Sequence, residues 1–96
     1  MSAVLIRLSA EGSASLTSAQ QRWELTVVPD EEHAYFGGQV MRLAPDSSFP
    51  GTFKLEYLGF MSIGFPDRDT AKSLARDFSL TVLKRLTALI TSAALT

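Results

Sequence analysis

The stretch that decides the fold covers residues 66–93 and reads PDRDTAKSLARDFSLTVLKRLTALITSA. Its apolar residues recur at spacings of three and four, which is typical of an amphipathic helix with one buried face. These residues are Ala71, Leu74, Ala75, Phe78, Val82, Leu86, Leu89, Ile90 and Ala93. Asp67, Asp69 and Thr70 are candidate N-caps, because their side-chain oxygens can accept hydrogen bonds from the unpaired amides of a first turn. We therefore predict one long amphipathic helix over about residues 68–93, whose apolar stripe covers a sheet.

The far end of this predicted helix carries no charge. Beyond Arg85 there is no acidic or basic residue, so the last turns are apolar or neutral around most of their circumference. Contiguous apolar surface on a protein usually marks an interface. We therefore predict a homo-oligomer, either a dimer or a tetramer, with an interface formed by Leu83, Leu86, Leu89 and Ile90.

The segment before the helix has the period-two alternation of a strand. Phe53, Leu55 and Tyr57 alternate with charged residues, and we expect the strand to continue to Ile63 with a bend at Gly59. Farther upstream, alternation predicts three more strands, which cover residues 4–8, 23–28 and 34–43. The acidic segment 29–32 favours a turn, and Gly37-Gly38 indicates a bulge or a close backbone approach.

Together these segments predict an α+β fold. It consists of an antiparallel sheet of about four strands, over about residues 3–63, and one long C-terminal helix packed on it. A chain of 96 residues is at the low end of the usual range for one domain. We therefore predict a single domain over residues 1–96.

Composition excludes several classes of function. Nine basic and ten acidic residues leave a net charge of -1, which argues against nucleic-acid binding because that requires concentrated positive charge. The absence of cysteine excludes disulfides and thiolate chemistry. Arg7 interrupts the short N-terminal apolar run, so no signal peptide is predicted, and no apolar run approaches the ~20 residues that span a bilayer. We expect a cytoplasmic protein without a membrane segment.

The residues nominate no catalytic machinery. His33 is the only histidine, and it follows Asp30, Glu31 and Glu32, so it could in principle act as a base or a metal ligand. Oxygen-ligand cation loops, however, space their ligands and use glycine, whereas this acidic segment is contiguous. There is also no nucleophile elbow and no phosphate-binding glycine loop. We predict a protein that is not an enzyme and has no cofactor or metal, with an enzyme built around His33 as a residual alternative.

Aromatic residues are the informative group. Six phenylalanines, two tyrosines and one tryptophan exceed what one helix on one sheet face needs. Either all of them share the core and an oligomer interface, or some line a surface groove, because aromatic enrichment suits both. For the second alternative we predict polypeptide-binding residues, namely Trp23, Phe36, Phe60, Met61 and Phe65.

Two segments resemble the SecB family of protein-export chaperones. Residues 53–63, with a glycine followed by phenylalanine and an alternating apolar end, resemble the last strand of that family. Residues 79–92 are similar to its long helix, in which a basic residue follows an apolar pair and a Leu/Ile-Thr-Ser run comes after it. The resemblance implies a four-stranded antiparallel sheet backed by a helix, assembly into a dimer or a dimer of dimers, and apolar grooves that hold extended non-native polypeptide.

Two hypotheses about function follow. The first is a SecB-like holdase or adaptor that binds non-native polypeptide through an aromatic groove. The second is a small inhibitor, of the kind that phages and mobile elements encode, which docks one specific folded protein through a sheet edge or the acidic turn.

Overall fold

A meander of five antiparallel strands, in the order of the chain, forms one sheet, and a long helix crosses one face of it. The computed structural model describes residues 6–9 and 14–94. The elements are α1 (Ala14–Thr17), β1 (Glu24–Leu25), β2 (Glu32–Phe36), β3 (Gln39–Pro45), β4 (Phe53–Tyr57), β5 (Phe60–Phe65) and α2 (Arg68–Ala94). The predicted α+β class and the single long C-terminal helix are therefore confirmed.

Two tight turns divide strands that the sequence predicts as continuous. Gly37 and Gly38, with φ of 62° and 78°, join β2 to β3, and Leu58 and Gly59, with φ of 50° and 84°, join β4 to β5. Two successive residues with positive φ form the two-residue turn that matches the twist of a hairpin. The prediction of one strand from Phe53 to Ile63 is thus wrong, and each segment is a hairpin instead. Of the two alternatives predicted for Gly37-Gly38, the bulge is wrong, but the close approach is found at Gly38, where an added Cβ would collide with the Leu16 side chain.

The start of the predicted sheet also differs. Of the predicted strand over residues 4–8, residues 4 and 5 lie outside the described residues, and Ile6 and Leu8 are 90% and 95% exposed and belong to no strand. The predicted strand over residues 23–28 contracts to β1, because the chain then turns. The Thr26 amide donates to the Glu31 carbonyl at 3.1 Å, which confirms the turn predicted in the acidic segment.

The core lies between the sheet and α2. Alternating residues of β2, β3 and β4 point toward the helix, and α2 contributes mainly small residues, which lets its backbone approach the sheet closely. The buried apolar residues are Ala34, Phe36, Met41, Leu43, Leu55, Tyr57, Phe65, Ala71, Ala75 and Val82. At the centre, the buried Tyr57 hydroxyl donates to the Phe36 carbonyl at 2.6 Å.

Helix α2 is tied to the sheet at its N-terminal end. Asp67 caps it, because its Oδ1 accepts from the Thr70 amide at 2.7 Å. Arg68 Nη1 and Lys72 Nζ then bind the two carboxylate oxygens of Glu32 on β2, at 2.9 and 2.8 Å. These two ion pairs anchor the start of α2 to the sheet.

Candidate functional site

Strand β5 forms one edge of the sheet. It pairs with β4 on one side, and within residues 6–9 and 14–94 no strand pairs with its other side. Its sequence, Phe-Met-Ser-Ile-Gly-Phe, contains neither a charged residue nor a proline. Proteins usually protect sheet edges with lysine, proline or a covering segment, because an unprotected edge accepts another extended chain. By these criteria β5 is an open edge.

The hairpin register shows which backbone groups of β5 point outward. Tyr57 and Phe60 flank the two-residue turn, so they form a hydrogen-bonded pair in which the backbone groups of Phe60 point toward β4. The alternation of an antiparallel ladder then directs the amide and carbonyl of Met61 and of Ile63 away from β4. The regular edge ends at Gly64, whose φ of 87° coincides with the register shift opposite Phe53.

The side chains of Met61 and Ile63 lie on the face of the sheet that α2 leaves uncovered. Met61 is 55% exposed and Ile63 is 51% exposed. A shallow depression of about 460 Å³ adjoins Met61, and its lining combines the apolar Val40, Leu58 and Phe60 with the polar Gln39, Arg42 and Glu56. The edge and the depression together form a surface with an apolar part and a charged margin next to unpaired backbone groups, which we call the β5 site.

A row of mostly polar residues crosses the uncovered face. The register aligns Glu24, His33, Arg42, Glu56 and Met61 in one row across all five strands. Arg42 therefore lies between His33 and Glu56, and directly opposed charges of unlike sign stabilise neighbouring strands. Met61, at the β5 end, is the apolar residue of this row.

Only two of the five predicted polypeptide-binding residues are neighbours in the structure. Phe60 and Met61 are consecutive in β5, and Phe60 is partly buried against the core. Phe36 and Phe65 are 5% and 7% exposed and belong to the core, so their rings do not reach the surface. Trp23 is half-buried beside β2, with its ring centroid 6.0 Å from that of Phe36.

Most of the aromatic side chains therefore lie in the core or against it. Three rings are buried in the core, namely Phe36, Tyr57 and Phe65. Four more are packed against it, namely Trp23, Phe53, Phe60 and Phe78. Ile63 and Leu58, which line the β5 site, were absent from the prediction. The signal for Ile63 was its period-two spacing from Met61, but the sequence does not show that this strand is an edge.

A second apolar surface lies at the opposite edge. Leu25 is 80% exposed, Val27 is 101% exposed and Val28 is 51% exposed, all in or just after β1. The acidic turn follows directly. Its Glu31 accepts from the Thr26 hydroxyl at 3.0 Å, which fixes the turn.

The predicted oligomer-interface residues share the outer half of α2. Leu83, Leu89 and Ile90 are 39%, 52% and 73% exposed, whereas Leu86 is partly buried against the core. From Thr87 to Ala93 every residue is exposed, so this part of the helix projects beyond the sheet.

The charged side chains that line the β5 site are Arg42 and Glu56. His33 lies in β2, with its ring centroid 5.8 Å from that of Tyr35. In the described part of the chain, no group of three or more His, Asp or Glu side chains could hold a metal ion. The Glu32 carboxylate lies beside the β1 edge, opposite Leu25, and its pKa is perturbed. Burial alone would raise the pKa of Glu32, but the hydrogen bonds and charges of Lys72 and Arg68 outweigh it and lower the pKa below 4.5.

Comparisons with protein-family models, curated proteins and solved structures found no match for this chain. Among the described helices, none combines the length and apolar character that crossing a membrane requires. The function is therefore argued from the geometry of the β5 site.

Proposed function

We propose that this protein is a non-enzymatic, SecB-like holdase that binds extended, non-native polypeptide along the edge of β5. The observation that carries the proposal is the character of that edge. It is uncharged and proline-free, and its Met61 and Ile63 backbone groups point away from the sheet. A bound chain would add a sixth strand.

Strand addition suits a protein that must accept many sequences. The main-chain hydrogen bonds are the same for every client, so they supply affinity without reading the sequence. Methionine adds adaptable contacts, because its unbranched side chain can repack around clients of different shape. Met61, half exposed beside the depression of about 460 Å³, is placed to contact those client side chains that face the same side of the sheet.

The side chains that the β5 site exposes indicate which client segments it would prefer. Apolar client side chains would pack against Met61, Ile63 and Leu58, which expose much of their surface at the β5 end of the uncovered face. Arg42 and Glu56 bound this apolar area, so the client segment should be short and apolar on one face. Segments of this kind are buried in folded proteins and exposed in unfolded ones, which gives the protein selectivity for non-native chains.

Two further expectations belong to the proposal. The resemblance of residues 53–63 and 79–92 to the SecB family supports a holdase, since Met61 and Ile63 of the β5 site lie within the first segment. We place the protein in the cytoplasm as a homo-oligomer with protein partners, and without membrane, nucleic-acid or cofactor binding.

Suppression of client aggregation tests this proposal. The double variant Met61→Lys/Ile63→Lys adds the charges that normally protect an edge, at two positions that are half exposed. We expect it to lose most of the suppression of aggregation of a chemically unfolded polypeptide while keeping its circular dichroism spectrum. The matched control is Val27→Lys, at a fully exposed position of the other edge. Equal suppression by the wild type and the double variant would refute the proposal.

A specific inhibitor of one folded protein is the second candidate, and the β1 side of the sheet favours it. Leu25, Val27 and Val28 form an exposed apolar surface beside the acidic turn, a combination that fits a folded partner with an apolar pocket and a basic rim. Affinity capture from cells separates the two functions. A single stoichiometric partner that is lost with Val27→Lys, and retained with the Met61→Lys/Ile63→Lys variant, would favour the inhibitor.

A further inference from the structure

The chain before α1 contains an apolar segment with the sequence pattern of a strand. Val4, Ile6 and Leu8 are spaced by two residues, which is the period of a strand with one apolar face. In the structure, however, Ile6 is 90% exposed and Leu8 is 95% exposed, and neither belongs to a strand. We call residues 6–8 the N-terminal segment. Two large apolar side chains in nearly full contact with water favour a second arrangement that buries them.

Helix α1 holds the next part of the chain at one end of the sheet. The Gly38 amide, in the β2–β3 turn, donates to Gln20 Oε1 at 2.9 Å, and the Leu16 side chain of α1 lies against Gly38. In this meander the β2–β3 and β4–β5 turns lie at the same end of the sheet. A segment that runs along the free side of β5 and then enters α1 must approach that end, whereas β5 runs away from it. Such a segment is therefore antiparallel to β5.

The chain between the N-terminal segment and α1 is long enough to reach the free side of β5. This side is three strand spacings from β3, or about 14 Å, and Met61 is level with Arg42, about 13 Å along β3 from Gly38. The combined distance is roughly 20 Å. Ile6 is eight residues before Ala14, where α1 begins, and eight residues span up to about 26 Å. Ile6 can therefore lie opposite Met61.

We propose that the N-terminal segment adds to β5 as an antiparallel sixth strand, with Ile6 opposite Met61, and competes there with clients. The outward amide and carbonyl of Met61 then pair with those of Ile6. The Ile6 side chain shares the uncovered face with Met61, and Leu8, two residues later, lies beside Leu58 at the depression of the β5 site. The effect on clients rests on the proposed function, whereas the contact itself requires only the open edge.

The opposite edge of the sheet fits this segment less well. Strand β1 pairs with β2 over two residues only, Glu24 and Leu25, and the chain turns at Thr26. Glu24 also forms an ion pair with Arg22 at 3.4 Å, so this edge carries charges. Short and charged edges resist an added strand. Strand β5 offers four successive uncharged residues, from Phe60 to Ile63, and should therefore be selected.

The tether allows a weak contact to form within one chain. A short flexible linker gives an effective concentration in the mM range, so a pairing of a few residues can be populated without being stable. The structure shows the open arrangement, in which Ile6 is exposed, and this arrangement should predominate. If the edge is covered for less than half of the time, the N-terminal segment lowers the apparent affinity for a client by less than about twofold.

Disulfide trapping tests the contact in the absence of a client, since the natural chain has no cysteine. Directly opposite residues that exchange both hydrogen bonds are about 5.5 Å apart between Cα atoms, which suits a disulfide. The variant Ile6→Cys/Met61→Cys should form an intramolecular disulfide under mild oxidation in dilute solution. The matched control is Ile6→Cys/Glu24→Cys, because Glu24 ends the same row at the opposite edge and lies closer to the β2–β3 turn.

The rates of the two reactions decide the proposal. The disulfide to position 61 should form at least fivefold faster than the disulfide to position 24, because only β5 accepts the segment. Equal rates, or a faster reaction at position 24, would overturn the proposal whether or not the protein is a holdase.

The trapped protein then tests the competition. Oxidised Ile6→Cys/Met61→Cys should lose most of its suppression of client aggregation and regain it on reduction, because the disulfide keeps the edge covered. Full suppression by the oxidised protein would overturn the competition. It would also show that clients do not use β5, which contradicts the proposed function but leaves the trapped contact in place.

Discussion

Tyr57→Phe removes one hydroxyl from the centre of the core. Tyr57 is 2% exposed, and its hydroxyl donates to the Phe36 carbonyl at 2.6 Å across β3. The same ring lies 6.4 Å from the Phe36 ring and 6.5 Å from the Phe78 ring, between centroids, so it also joins the sheet to α2. The substitution keeps these ring contacts and deletes only the hydrogen bond.

The expected loss of stability depends on the hydrogen bond that the Phe36 carbonyl keeps in the variant. The Phe36 carbonyl also faces Gln39 across the two-residue turn, so it keeps one partner and loses the other. A hydrogen bond between neutral groups contributes about 1 kcal/mol net, and a buried carbonyl that loses one of two partners should cost about 1–1.5 kcal/mol. For a domain of this size, that loss corresponds to a decrease in Tm of roughly 4–12 °C.

Thermal and urea unfolding, followed by circular dichroism, measure this loss. Tyr35→Phe is the control, because Tyr35 is half-buried on the uncovered face and should change stability by less than about 0.5 kcal/mol. Equal losses in the two variants would refute the assigned hydrogen bond.

The difference in stability between the wild type and Tyr57→Phe should also change at alkaline pH. Burial raises the pKa of Tyr57 above its ordinary value of 10.0, so the folded state holds this proton more tightly than the unfolded state does. This contribution is fully present below pH 10 and is lost as the pH rises through the folded pKa. The advantage of the wild type over Tyr57→Phe should therefore shrink above about pH 10.

Two further predictions concern the anchors of the fold. Glu32→Gln should destabilise the protein by about 1 kcal/mol at neutral pH, since the side chain accepts two charge-assisted hydrogen bonds. Because the pKa of Glu32 is lowered in the folded state, this stabilisation is present above the unfolded pKa and is lost as the pH falls through the folded value. Urea unfolding at pH 7 and pH 3 checks it, and a deficit that is unchanged at pH 3 would contradict the assignment. Gly38→Ala should cost more stability than Gly59→Ala. Both glycines have positive φ, but an added Cβ meets the Leu16 side chain only at Gly38. Equal thermal unfolding temperatures of the two variants would show that α1 does not pack against Gly38.

The helix was predictable because its signals are local. The three-four spacing of apolar residues and the Asp67 cap lie within the segment itself, so its predicted range, about 68–93, matches Arg68–Ala94. The two hairpins were harder to predict from the sequence. A turn at Leu58 requires positive φ in a residue other than glycine, which is uncommon. The alternation from Phe53 to Tyr57 and the nearly continuous apolar run after it therefore predicted a single strand.

The candidate site was only partly predictable, for a topological reason. Alternation indicates which side chains share a face, but the strand order decides which strand is an edge, and that order depends on contacts between distant segments. Phe36 and Phe65 have the aromatic character expected of a binding groove, yet the register turns both toward α2. Met61 is one residue from Phe60 and faces the other way, which is why only part of the predicted group forms a surface.

Hydrogen exchange at single amides tests strand addition to β5 most directly. In the protein alone, the Met61 and Ile63 amides should exchange quickly, since the hairpin register directs them away from β4. With a saturating, permanently unfolded polypeptide, exchange at both should slow at least tenfold, while amides near Val27 stay unchanged. Unaltered exchange at Met61 and Ile63 under saturation, or slowing confined to residues 25–28, would contradict the proposal that β5 accepts the client.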